Sequence, residues 1–201
     1  MLSLVRDNAD EHIHDPEFQQ DMLISVDDAL KRMAKVQVRL RALGGEIAPK
    51  IKVLDGVDLV KSCCRELDQK MAELTLDLRC PFEHYEISTD PDFFYSILEN
   101  LLLNSLEAGG KGTRVRISVM KFADEELKIE VSDNGPGIPP DLLPDHLFDP
   151  FITAKPTGSG IGLWQVRQLV ESLGGKIMVE NLENRGARFF IRLPSFHTSG
   201  S

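Results

Sequence analysis

Apolar residues recur at alternating spacings of four and three between Met22 and Leu43. This heptad stripe predicts an amphipathic helix that begins near Pro16 and ends at the glycine pair starting at Gly44. A shorter helix is predicted over residues 2–11, so residues 1–45 are expected to form a helical hairpin. Because the long arm carries more of the stripe than the short arm covers, we expect the native protein to continue upstream of this sequence.

The rest of the chain alternates between strand and helix patterns. Residues 46–57 are predicted to form a linker that leads into a first strand, and Asp58 is predicted to cap the helix that follows. Further helices are predicted from Asp90-Pro91 to about Ala108 and from Ser159 to Leu173. The remaining predicted strands are residues 74–78, 85–88, 113–122, 127–131, 176–180 and 187–193.

This order of elements predicts the fold class. Strands that follow one another mostly as hairpins, with helices between them, indicate an α/β (α+β) two-layer sandwich over residues 46–195. Residues 196–201 are predicted to be a disordered tail. Between residues 134 and 159 the chain is too long for a simple connection, and loops of this length are typical of lids over functional sites.

Composition excludes several classes of protein. The net charge of −9 argues against a general nucleic-acid binder. No apolar run approaches the roughly 18 residues of a membrane span. The three cysteines, Cys63, Cys64 and Cys80, have no metal-ligand spacing, so we expect buried thiols in a reducing compartment. A cytoplasmic location is therefore predicted, and a membrane anchor elsewhere in the full-length protein stays open.

The strand pattern over residues 127–131 leads into the sequence Asp133-Asn134-Gly135-Pro136-Gly137. A carboxylate at the end of a strand is a candidate acceptor for the amino edge of a base. Two glycines after it allow the backbone to approach a ligand closely. A second glycine cluster, residues 158–162, precedes the last predicted helix, where free N–H groups and the helix dipole favour phosphate.

The helix that begins after Asp90 carries two asparagines, Asn100 and Asn104, which lie one turn apart and share a face. Their side-chain carbonyls are hard oxygen donors, which suit Mg²⁺ together with substrate phosphates. These amides therefore indicate a polar ligand.

Together these segments resemble the Bergerat-type ATP-binding domain of the histidine kinases, over about residues 50–195. Four motifs occur in the order of that family. They are an N box over Glu99–Ala108, a G1 box over Asp133–Ile138, an F box over Leu147–Phe151, and a G2 box over Gly158–Leu163 preceded by Lys155.

The resemblance implies roles for individual residues. Asp133 would accept the adenine amino group of ATP, and Asn104, with Asn100, would hold Mg²⁺. Lys155 would reach the terminal phosphates. The implied ATP site also includes Gly135, Gly137 and Ile138 of the G1 box, Phe148 and Phe151, which would pack the lid down, and Gly158, Ser159, Gly160, Ile161, Gly162 and Leu163.

One residue departs from the family pattern. Many members carry a basic residue three positions after the second asparagine of the N box, whereas this chain has Glu107. A phosphate contact from that position is therefore in doubt, and the motif is closer to the nitrogen-sensor type of kinase.

The resemblance also implies a function. This chain would be the catalytic core of a two-component sensor histidine kinase, which transfers the γ-phosphate of ATP to a histidine for relay to the receiver domain of a response regulator. The hairpin over residues 1–45 would form a homodimer in the full-length protein. Neither His12 nor His14 matches the acceptor motif of the family, so the acceptor is expected outside this sequence. The turn His14–Phe18, followed by Asp21-Met22, resembles sensor kinases of PEP-CTERM export systems.

Two alternatives stay open. A Bergerat-fold ATPase of another class, such as a chaperone, a mismatch-repair protein or a topoisomerase, depends on a further domain that completes its site. A nucleotide-binding module without catalysis is disfavoured because all four motifs are intact.

Overall fold

The computed structural model describes Met22 and residues 48–121, 126–144, 146–153, 160–183 and 185–194. The chain divides into two compact units, Met1–Ile47 and Ala48–Ser201. Apart from Met22, which is helical, the predicted hairpin over residues 1–45 lies outside the described residues, as do His12, His14 and the tail over residues 196–201. The second unit carries the fold described below.

Three helices and seven strands make up the described part of this unit. In chain order they are β1 (Lys52–Asp55), α1 (Gly56–Lys70), β2 (Thr75–Arg79), β3 (Glu86–Thr89), α2 (Pro91–Gly109), β4 (Arg114–Lys121), β5 (Leu127–Asp133), α3 (Gly162–Ser172), β6 (Lys176–Asn181) and β7 (Ala187–Leu193). Two short 3₁₀ turns, Pro140–Leu142 and His146–Phe148, lie between β5 and α3.

A five-stranded mixed sheet in the order β2-β4-β5-β7-β6 forms one layer. Its strands are antiparallel except for β2, which pairs with β4 in parallel. Strands β1 and β3 form a separate antiparallel pair. Alternate residues of β4, β5 and β7 are buried and belong to one hydrophobic core with the apolar faces of α1, α2 and α3. The predicted α+β two-layer sandwich is confirmed.

Two predicted helix starts are wrong. The cap of α1 is Asp55, whose Oδ1 accepts from the N–H groups of Val57 (2.8 Å) and Asp58 (3.4 Å), so Asp58 already lies inside the helix. Helix α3 begins at Gly162 and not at Ser159, because Gly160 has a φ of +65°, which no right-handed helix allows. By contrast, Asp90 caps α2 as predicted.

None of the described helices combines the length and the apolar character needed to cross a lipid bilayer.

Candidate nucleotide-binding site

The carboxylate of Asp133, the last residue of β5, is held by three parts of the fold. Its Oδ1 accepts from the N–H groups of Gly135 (2.8 Å) and Ala187 (3.2 Å). Its Oδ2 lies 3.2 Å from the Ser105 hydroxyl, which shares its single proton between this oxygen and the Leu101 carbonyl at 3.0 Å. Ser105 is buried on α2, and Ala187 is the first residue of β7. Since a carboxylate has about four acceptor positions, Asp133 keeps capacity for one outside donor in a fixed direction.

The tip of the β6–β7 hairpin packs directly against Asp133. A Cβ placed on Gly186 would lie 2.0 Å from the Asp133 carbonyl oxygen, so only glycine fits there. The preceding residue, Arg185, has a φ of +107°, which is strained for a residue with a side chain. This tight hairpin tip brings the Ala187 N–H to the carboxylate.

The far end of the glycine turn is held by Asn181, the last residue of β6. Its Oδ1 accepts from the Ile138 N–H, and its Nδ2 donates to the Ile138 carbonyl, both at 2.8 Å. Asn181 is not among the predicted site residues, because an asparagine at the end of a strand is also typical of an ordinary turn. Only the register of β6 beside the turn shows its contact with Ile138.

Asn100 and Asn104 lie on α2 one turn apart, and both are half-buried. Asn100 Nδ2 donates to the Ser96 carbonyl at 2.8 Å. A Cβ placed on Gly162 would lie 3.1 Å from Asn100 Oδ1, so this oxygen faces the first residue of α3. The partial positive charge at a helix N-terminus stabilises an oxygen in that place. The Asn100 side chain thus contacts both its own helix and the start of α3.

Glu107 is exposed near the end of α2. A cavity of about 320 Å³ begins beside this helix end. Its walls include Ala108, Gly109 and the turn over Asn134–Pro136, with two basic residues, Lys111 and Arg185. The cavity thus adjoins the turn that follows Asp133.

The two phenylalanines of the F box have different surroundings. Phe148 is 2% exposed and packs edge-to-face on Phe189, with 6.5 Å between ring centres. Phe151 is 41% exposed, has a φ of +69°, and is followed by Ile152, which is 39% exposed. Phe148 therefore anchors this segment to the sheet, and Phe151 lies at the surface.

The two ends of the segment between the F box and α3, Phe151 and Gly160, lie in contact. The Phe151 N–H donates to the Gly160 carbonyl at 2.9 Å, and a Cβ on Gly160 would lie 2.5 Å from the Phe151 carbonyl carbon. Ile161 is buried, and Leu163 is half-buried on the first turn of α3. Lys155, Gly158 and Ser159 lie outside the described residues.

Comparisons with known proteins show the family to which this chain belongs. A family model described as histidine kinase-, DNA gyrase B- and HSP90-like ATPase matches residues 89–197. The sensor histidine kinase ZraS of Escherichia coli O157:H7 is 34% identical over 171 residues, which are 81% of this chain and 37% of ZraS. The signal transduction histidine-protein kinase AfsQ2 of Streptomyces coelicolor is 40% identical over 147 residues, 71% of this chain and 26% of AfsQ2. The chain thus spans well under half the length of these relatives.

Solved structures share the fold. The catalytic domain of the histidine kinase ThkA has a TM-score of 0.64 at 26% identity, covering 73% of this chain and 96% of that domain. Full-length ShkA in complex with AMPPNP has a TM-score of 0.73 at 20% identity, covering 93% of this chain and 40% of ShkA, which shows the fold alone. The chain belongs to the family of histidine kinase-, DNA gyrase B- and HSP90-like ATPases.

Proposed function

We propose that this chain is the ATP-binding catalytic core of a two-component sensor histidine kinase. The observation that carries the proposal is the Asp133 carboxylate, fixed by Ser105, Gly135 and Ala187 with capacity left for one donor. A carboxylate in a fixed orientation selects a base that presents an amino group, as adenine does. The names of the relatives favour a sensor kinase over a chaperone, a mismatch-repair protein or a topoisomerase.

Different residues around Asp133 would bind the base, the phosphates and the metal of Mg-ATP. The turn over residues 135–138 would border the base, and the backbone at residues 158–162, with Lys155, would hold the phosphates. Asn104, supported by Asn100, would hold Mg²⁺, which neutralises charge on the transferred phosphoryl group. Phe148, and more loosely Phe151, would fix the lid to the domain.

The partners follow from the same proposal. A response regulator receiver domain would accept the phosphoryl group, and the related kinase ThkA has been solved in complex with the response regulator TrrA. Residues 1–45 would contribute to a dimerisation hairpin, residues 46–195 would form the catalytic domain, and residues 196–201 a tail. Three free cysteines support a reducing, cytoplasmic location. The likeness of residues 14–22 to PEP-CTERM-type sensor kinases stays a prediction.

The acceptor histidine is proposed to lie outside this chain. His84 contacts the carboxylate of Asp55 at the start of α1, and His146 pairs with Asp149 at 3.1 Å, so both belong to exposed surface contacts. His12 and His14 do not match the acceptor motif, and His197 lies in the predicted tail. Phosphoryl transfer needs an in-line nucleophile beside the γ-phosphate.

Incubation with radiolabelled Mg-ATP tests this function. The chain should bind Mg-ATP but gain no acid-labile, base-stable phosphate, whereas a longer version with an acceptor histidine on its first bundle helix should gain it. A chain that binds no ATP would contradict the proposal. Labelling of the present chain that His14→Gln removes would show that the acceptor is His14.

A further inference from the structure

The last cross-strand pair of the β6–β7 hairpin, Asn181 and Ala187, contacts both ends of the glycine turn over residues 133–138. The Ala187 N–H donates to Asp133 at the beginning of the turn. The Asn181 side chain makes two hydrogen bonds to Ile138 at the end of the turn. These two residues, which lie 43 and 54 positions along the chain from their partners, thus hold both ends of the turn.

The Asn181 amide suits this contact because it presents an N–H and a carbonyl oxygen side by side in one plane. It pairs with the N–H and the carbonyl of Ile138 as a neighbouring strand would. A Cβ placed on Gly137 would lie 3.0 Å from Asn181 Oδ1, and Gly137 has a φ of +85°. The glycine at this position therefore leaves the room that the amide occupies.

The contact extends from Asn181 to the Asp133 carboxylate through the turn itself. Gly135, whose N–H binds Asp133 Oδ1 at 2.8 Å, lies between the two ends of the turn. We therefore expect release of the Ile138 end to change the direction of the Gly135 N–H and, through it, the orientation of the carboxylate.

We propose that Asn181 is a positioning residue for base selection. It does not touch the nucleotide, but it fixes the turn so that the Asp133 carboxylate faces the amino group of adenine. The inference rests on the proposed function, since it takes adenine as the base that Asp133 accepts.

The test compares ATP with inosine triphosphate, which has a carbonyl where adenine has its amino group. Affinities of the 201-residue chain for both nucleotides are measured by calorimetry. The wild-type chain should prefer ATP by about tenfold or more, the effect of one charge-assisted hydrogen bond. Asn181→Ala should lower ATP affinity by about tenfold and inosine triphosphate affinity by less than about threefold, so the preference falls severalfold.

Two further variants separate positioning from stability. Asn181→Asp keeps the size of the side chain but places an oxygen against the Ile138 carbonyl, so it should lose the preference as Asn181→Ala does, even if the alanine variant folds poorly. Arg192→Met removes a contact with Glu126 at the other end of β7 and should keep the preference.

A folded Asn181 variant that keeps the wild-type ATP preference would overturn the inference and leave the proposed function intact. A wild-type chain that binds inosine triphosphate as tightly as ATP would overturn both the inference and the role of Asp133. A wild-type chain that binds neither nucleotide would contradict the proposed function and the inference with it.

Discussion

The guanidinium carbon of Arg167 lies 4.9 Å from the centre of the Phe148 ring. Phe148 belongs to the F box, and Arg167 lies on α3, the helix that follows the glycines of the G2 box. Phe148 also packs edge-to-face on Phe189 of β7. The anchor of the proposed lid is therefore held between the sheet and the helix at which the lid ends.

Arg167→Met should loosen this anchor. A cation–π contact stabilises by roughly 0.5–2 kcal/mol, depending on how far it is desolvated. Hydrogen exchange of residues 146–153 should therefore become faster in the variant, and Mg-ATP affinity should fall about two- to tenfold. Arg167→Lys, which keeps the charge, should have a smaller effect. Unchanged exchange over these residues in Arg167→Met would show that Arg167 does not anchor the segment.

Asp133→Asn should weaken ATP binding at least about tenfold and leave the fold intact, because an uncharged amide replaces a charge-assisted acceptor. Calorimetry measures the affinity, and circular dichroism checks the fold. Asp141→Asn, in the 3₁₀ turn over Pro140–Leu142, is the matched control and should bind as the wild type does. Equal affinities of a folded Asp133→Asn variant and the wild type would remove Asp133 from the site.

Local patterns were sufficient to predict most of the described helices and strands, and the roles of the candidate site residues, which came from the family resemblance, stay predictions. The one-turn spacing of Asn100 and Asn104 and the position of Asp133 after a strand are visible in the sequence because they depend on neighbouring residues. The contacts of Asn181 with Ile138 and of Arg167 with Phe148 were not predictable, since each depends on how distant segments pack.

The errors also have physical reasons. Asp55 and Asp58 are both good N-caps, and the extended backbone of Asp55 at the end of β1 decides between them. The parallel pairing of β2 with β4 was missed because a hairpin order of strands predicts antiparallel neighbours. Burial was predicted for all three cysteines, but Cys80 is partly exposed.

Cys63 and Cys64 should resist alkylation in the folded protein. Burial, with Glu66 nearby, raises the pKa of Cys63 to about 11, and burial, with Cys63 and Asp68 nearby, raises the pKa of Cys64 to about 12. Since the thiolate is the reactive form, iodoacetamide at pH 8 should modify Cys80 first. Mass spectrometry measures each site. Rapid modification of Cys63 in the native protein would contradict its burial.

The same two pKa values predict how stability depends on pH. The folded state binds the thiol protons more tightly than the unfolded chain, whose thiols have pKa values near 9.0. The contribution of these thiols to stability is therefore complete below pH 9 and is lost as the pH rises toward 11 and 12. Between pH 8 and 11, urea unfolding should show that Cys63→Ala loses less free energy of unfolding than the wild type does. Equal losses of unfolding free energy would exclude this linkage.

Asn104→Ala should impair binding of Mg-ATP more than binding of metal-free ATP. Asn104 lies on the same face of α2 as Asn100, whose amide is already engaged with Ser96 and whose oxygen faces Gly162. Because Mg²⁺ uses few protein ligands, the loss of one hard oxygen donor should lower ATP affinity mainly when the metal is present. Calorimetry with Mg²⁺ and with EDTA measures both affinities. Asn100→Ala, the matched variant one turn away, should show a smaller difference between the affinity losses measured with Mg²⁺ and with EDTA. If Asn104→Ala loses the same affinity with and without metal, Asn104 is excluded as a metal ligand.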